Sequence, residues 1–88
     1  MGKMEKVNDE MMENVAGGTL SQEEALGRAL AYANLRRDQV DFVKRVELDY
    51  EHGRKVYEIK FYQGGMEYEF DIDAVTGAVV DMDIDDLD

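Results

Sequence analysis

From Val46 onward the hydrophobic pattern changes from the period of a helix to that of a strand, and this switch restricts the fold more than any other feature. Val46, Leu48 and Tyr50 alternate with Arg45, Glu47 and Asp49, and Tyr57, Ile59 and Phe61 with Glu58, Lys60 and Tyr62. Met66, Tyr68, Phe70 and Ile72 alternate with Glu67, Glu69, Asp71 and Asp73, and the last run sets Ala78, Val80, Met82 and Ile84 against Val79, Asp81 and Asp83. Successive strand side chains point to opposite faces, so each run has one apolar and one polar face. The connections are short and contain glycine: Glu51-His52-Gly53-Arg54, Gln63-Gly64-Gly65 and Ala74 to Gly77. Four sequential strands joined in this way predict an antiparallel meander. Near its start the register is ambiguous, because Phe42 shares the parity of Val46 while Val43 does not; a β-bulge would reconcile them.

The apolar sheet face needs a cover. Ser21 followed by Glu24 is a capping box, Glu23 and Glu24 suit the positive end of a helix dipole, and Leu26, Ala29, Leu30 and Ala33 form one stripe. These residues predict a helix over 21–33, punctuated by Asn34. The fold class expected is α+β, one helix packed on a four-stranded antiparallel meander sheet. An extra N-terminal helix is expected before it, since Met4, Val7, Met11, Met12 and Val15 recur at helical spacing and Gly17-Gly18 ends the run. The division is then 1–18, an amphipathic segment, and 19–88, a domain with an acidic tail.

Charge narrows the partners. The 88 residues hold 21 Asp and Glu against 10 Lys and Arg, a formal charge of −11, which repels phosphate backbones and excludes a nucleic-acid role. Residues 47–88 carry 13 of the acids and only 3 of the bases. The acidity therefore belongs to the sheet. Cysteine is absent, so thiolate chemistry is too. No apolar run reaches the ~18–20 residues of a membrane span, and no secretory signal opens the chain. A core this small is marginal alone, which leaves a protein partner or a homodimer to add burial.

Alternation places Glu47, Asp49, Glu58, Tyr62, Glu67, Glu69, Asp71, Asp81 and Asp83 on one polar face, with Asp73 as well and with Arg45 and Lys60 as its cations. Such a face either stays solvated or docks to a basic protein surface, in which case association weakens with salt. Asp81, Asp83 and Asp85 recur at every second residue but lack the glycine and closing Glu of a calcium loop, so no metal site and no cofactor is expected. The single histidine, His52, lies in a turn. Exposed carboxylates without a deep pocket do not separate their pKa values for acid-base work, so an enzyme is not expected. Tyr50, Tyr57, Phe61, Tyr68 and Phe70 are core by parity.

The runs Ser21 to Leu26, Val46 to Asp49, Tyr57 to Phe61 and Glu67 to Gly77 together resemble the PepSY domain, over nearly all of residues 19–84. The most specific block leads from Asp73-Ala74 through Thr76-Gly77 into the last strand. Asp73 and Thr76 can bond local amides there and Gly77 can take positive φ. The resemblance implies a small module similar to a segment in the propeptides of secreted zinc metallopeptidases, restraining or regulating a peptidase. Ahead of it, Val7 to Gly18 resembles a double-glycine leader. That implies recognition of Val7, Met12 and Val15 by an ABC exporter carrying its own peptidase. Cleavage after Gly17-Gly18 would follow, placing residues 19–88 outside the cell or in the envelope, with the chain cytoplasmic before export. Met11 stands where such leaders usually carry an acid. Three readings remain open at this point: a peptidase-restraining domain, a secreted bacteriocin-like effector or signalling protein using the domain as carrier, and a cytosolic protein whose first helix is structural.

Overall fold

The computed structural model describes residues 18–87. The helix expected over Met4 to Val15, and with it Val7, Met12, Val15 and Gly17, lies outside the described residues. A helix α1 (Gln22–Ala33) is followed by a 3-10 turn (Arg37–Gln39) and four strands, β1 (Phe42–Glu51), β2 (Arg54–Gln63), β3 (Met66–Asp73) and β4 (Val79–Asp86). The sheet order is β1-β2-β3-β4, antiparallel throughout, as the alternating runs require.

The helix begins and ends as its local chemistry dictates. Ser21 Oγ accepts from the Glu24 amide at 3.1 Å while Glu24 accepts from the Ser21 amide at 2.8 Å, so two helix-start donors are satisfied reciprocally. Asn34 closes the helix in the left-handed region, φ 61°. Two hairpins turn on His52-Gly53 and Gly64-Gly65, all four with positive φ, the signature of the type I′ turns that match strand twist. α1 lies across the sheet and buries Ala25, Ala29 and Leu30 against Tyr57, Ile59, Phe61, Phe70 and Ile72. Phe61 is the centre, stacked on Tyr68 at 4.9 Å and on Phe70 at 6.1 Å, and Tyr32 meets the Phe70 ring edge-on. The buried Tyr57 hydroxyl donates to the Leu20 carbonyl at 2.7 Å.

Two bulges adjust the parity. One lies between Val43 and Arg45 and brings both Val43 and Val46 to the core side, turning Phe42 outward. The other falls between Asp71 and Ile72 and their partners, so that Ile72 pairs with Val79 and Asp71 with Asp81. Val79, not Val80, therefore packs on the core, and Val80 is exposed. The expected inward set of Ala78, Val80, Met82 and Ile84 is corrected at its first half. Tyr50 is corrected as well: it lies on the helix side of β1 but is 67% exposed, because the strand outruns its cover. Twelve helical residues span about 18 Å, while ten in a strand span about 33 Å.

Candidate functional site: the acidic outer face

The sheet face turned away from α1 is built in rungs, each a row of directly opposed residues. One runs Phe42, Tyr62, Glu67, Asp85 and the next Arg45, Lys60, Glu69, Asp83. A third runs Glu47, Glu58, Asp71, Asp81, a row of carboxylates across all four strands. The fourth sets Asp49 and Asp73 on either side of Val56, which is buried outside the main core cluster. Opposed side chains on such a face have Cβ atoms about 4.5–5.5 Å apart, so like charges in one rung repel.

Electrostatics follow the rungs. Lys60 is clamped between Glu69 at 2.9 Å and Glu67 at 3.0 Å, and these hydrogen bonds hold its ammonium above the ordinary lysine value. Glu58 has its carboxyl pushed up, first by burial, then by a hydrogen bond with Glu51 and the charges of Asp49 and Asp71. Asp71 is pushed up by burial and by Glu51, Asp81 and Glu69. Asp85 is raised chiefly by Asp83. Asp73 moves the other way. Its Oδ1 accepts from the amides of Val75 at 2.8 Å and Thr76 at 2.9 Å, and these bonds lower its pKa, with Arg54 at 3.6 Å assisting. Thr76 Oγ1 in turn accepts from the Ala78 amide and Gly77 takes φ 81°. Asp73 thus fixes the β3–β4 turn. Ala74 is fully buried there, bonded by its carbonyl to the Leu20 amide and by its amide to the Lys55 carbonyl.

All nine expected partner residues lie on this face. Glu47, Asp49, Asp81 and Asp83 are exposed, and Glu58, Tyr62, Glu67, Glu69 and Asp71 are half-buried. Tyr62 stacks flat on Phe42 at 6.1 Å, and the exposed ring of the pair is Phe42. Two participants escaped the sequence reading. Glu51, expected in the turn, stays in β1 opposite Arg54 with a carboxylate oxygen within 4.8 Å of one of Glu58; the alternation of Arg45, Glu47 and Asp49 extended by one step would have found it. Phe42 shares the sequence parity of the inward Val46, and only the exact place of the bulge turns it outward. Carboxylate oxygens of Asp49, Glu51 and Glu58, and again of Glu69, Asp83 and Asp85, lie within 4.8 Å of one another. Each set offers one ligand oxygen from each of three exposed or half-buried carboxylates, an arrangement common on acidic surfaces without any ion. An open groove of about 380 Å³ runs along the face between Arg45, Lys60, Glu69, Asp71 and Asp83. Its chemistry is that of an anionic surface able to receive ammonium or guanidinium groups.

The fold and face define a small two-layer α+β domain with an anionic sheet surface. The family model described as "Peptidase propeptide and YPEB domain", PepSY, matches residues 19–83, and the chain belongs to that family. Neither the comparison with curated proteins nor that with solved structures gives a significant match. Membership marks the domain as a peptidase-propeptide-like regulatory or binding module, of a kind generally without catalysis of its own. No described helix is long and apolar enough to cross a membrane.

Proposed function

We propose that this chain is a non-enzymatic binding domain that restrains or modulates a peptidase, or another cell-envelope protein, by docking its acidic outer face on a basic surface. The carboxylate rung of Glu47, Glu58, Asp71 and Asp81 carries this reading. These opposed acids work against the fold, and a cationic partner relieves their repulsion as it binds. The Lys60 clamp shows the face taking an ammonium group between two carboxylates.

The N-terminal segment serves as an export leader. An ABC exporter with its own peptidase reads Val7, Met12 and Val15, and cleavage after Gly17-Gly18 frees residues 19–88. In support, the PepSY match begins at residue 19, directly after Gly18. Mass spectrometry of host culture supernatant tests the leader: a chain starting at Thr19 is expected, and finding only intact intracellular chain contradicts it. Inhibition of the host's secreted metallopeptidases by the purified chain tests the restraint. Inhibition that fades as salt rises is expected, and none at low salt across the panel contradicts it.

A further inference from the structure

We infer that the outer edge of β4 accepts an extended peptide segment, alternately basic and apolar, as a fifth strand of the sheet. This rests on the geometry of β4 and not on the peptidase reading.

β4 pairs with β3 on one side, and no described residue pairs with the other. Half of its backbone N–H and C=O groups therefore face outward, a template for another strand. Sheet edges are usually blunted by charged side chains, lysine above all, or by proline, a bulge or a covering element; the aspartates of β4 repel an acidic edge but not a basic strand. Val79–Asp86 contains neither lysine nor proline, and its bulge sits at the Val79 end, leaving pairing regular from Asp81 onward. The opposite edge is guarded. β1 carries its bulge at Lys44, and the Gln22 side-chain amide donates to the Val46 carbonyl at 2.9 Å.

The side chains of β4 specify what would lie beside it. On the helix side Met82 and Ile84, opposite Phe70 and Tyr68, remain 40% and 41% exposed because α1 does not reach them. On the outer side stand Asp81, Asp83 and Asp85, and none of them meets a Lys or Arg of the described residues in an ion pair. A fifth strand lays one row of side chains against Met82 and Ile84 and the alternate row opposite the three aspartates. Apolar residues suit the first row, and Lys or Arg the second. A second copy joined through β4 would set aspartate against aspartate, so the chain's own edge is a poor partner.

The test uses the full chain and two capped heptapeptides of equal composition. One alternates lysine with valine, and its isomer carries the lysines in one block. The alternating peptide is expected to bind at least tenfold more tightly and to slow hydrogen exchange of those amides between Asp81 and Asp85 that point away from β3. Ile84→Lys, at an exposed position, is expected to remove that preference. Equal affinities would reduce the effect to plain charge attraction and overturn the inference. It is equally overturned if these amides are already protected in the free chain at low concentration, where the chain's own segment covers β4. Protection that appears without peptide as concentration rises, where a second copy does so, overturns it too. No peptidase enters this measurement, so its failure leaves the outer-face reading standing.

Discussion

Replacing Asp71 by asparagine is expected to stabilise the domain, against the general run of substitutions, most of which destabilise. Asp71 stands directly between Glu58 and Asp81 in the carboxylate rung. Opposed pairs of this kind are worth about 0.2–1 kcal/mol each, with like charges unfavourable, so removing two gives roughly 0.4–2 kcal/mol at neutral pH. In a domain of this size about 1 kcal/mol moves Tm by ~4–8 °C. The pH dependence fixes the sign. Burial, then Glu51, Asp81 and Glu69, raise the Asp71 pKa, so the folded chain holds this proton more tightly than the unfolded chain. The group's favourable contribution is complete below the ordinary carboxylate range and is lost as pH rises through the raised value. The gain in Asp71→Asn should accordingly be full at neutral pH and vanish near about pH 3, where the parent carboxyl is itself neutral. Glu69→Gln, two residues earlier on the same face, removes a Lys60 partner at 2.9 Å and should lower stability by about 0.5 kcal/mol. Thermal unfolding followed by circular dichroism, at neutral and acid pH and in low and high salt, reads all of this. An Asp71→Asn chain that melts at or below the parent at neutral pH and low salt refutes the reasoning, as does a shift that persists unchanged in acid.

Three further outcomes follow from the turn and the core. Asp73→Ala loses two amide bonds and should cost about 1–3 kcal/mol in denaturant unfolding. Because the Asp73 pKa is lowered, its stabilising contribution is present above the ordinary carboxylate value and is lost as pH falls through the depressed one, so the difference between the two chains should narrow in strong acid. Gly77→Ala forces a side chain into φ 81° and brings a Cβ within 2.9 Å of the Arg28 guanidinium; a loss of ~1–2 kcal/mol is expected by the same measurement. Phe61→Ala empties the centre of the core at about 3–5 kcal/mol, enough to abolish the cooperative melting transition in a domain this small.

What was legible in the sequence was what is decided locally. The Ser21 and Glu24 box, the glycine turns and the Asp73 to Gly77 turn need only neighbouring residues, and each has the form that its residue types imply. The first bulge was legible too, since Phe42 and Val43 made contradictory demands on one strand. The second was not: Val79 and Val80 are both apolar, so parity held no conflict to betray the slip. Tyr50 was misplaced because alternation reports which face a residue takes, not whether the helix extends over it. The acidic face was legible residue by residue, but its rungs were not. Only the register between strands reveals that Glu47, Glu58, Asp71 and Asp81 fall in one row while Lys60 is spent on Glu67 and Glu69.

The central claim is that the outer face, through its carboxylate rung, is the surface that engages a basic partner. It is tested most directly by titrating the host's secreted metallopeptidases with the parent chain and with a Glu47→Gln, Glu58→Gln, Asp81→Asn chain, at low and high salt. Inhibition by the parent is expected to weaken as salt rises, and inhibition by the neutralised chain to be at least tenfold weaker at low salt, although that chain is the more stable of the two. Equal inhibition by both chains, insensitive to salt, would contradict it.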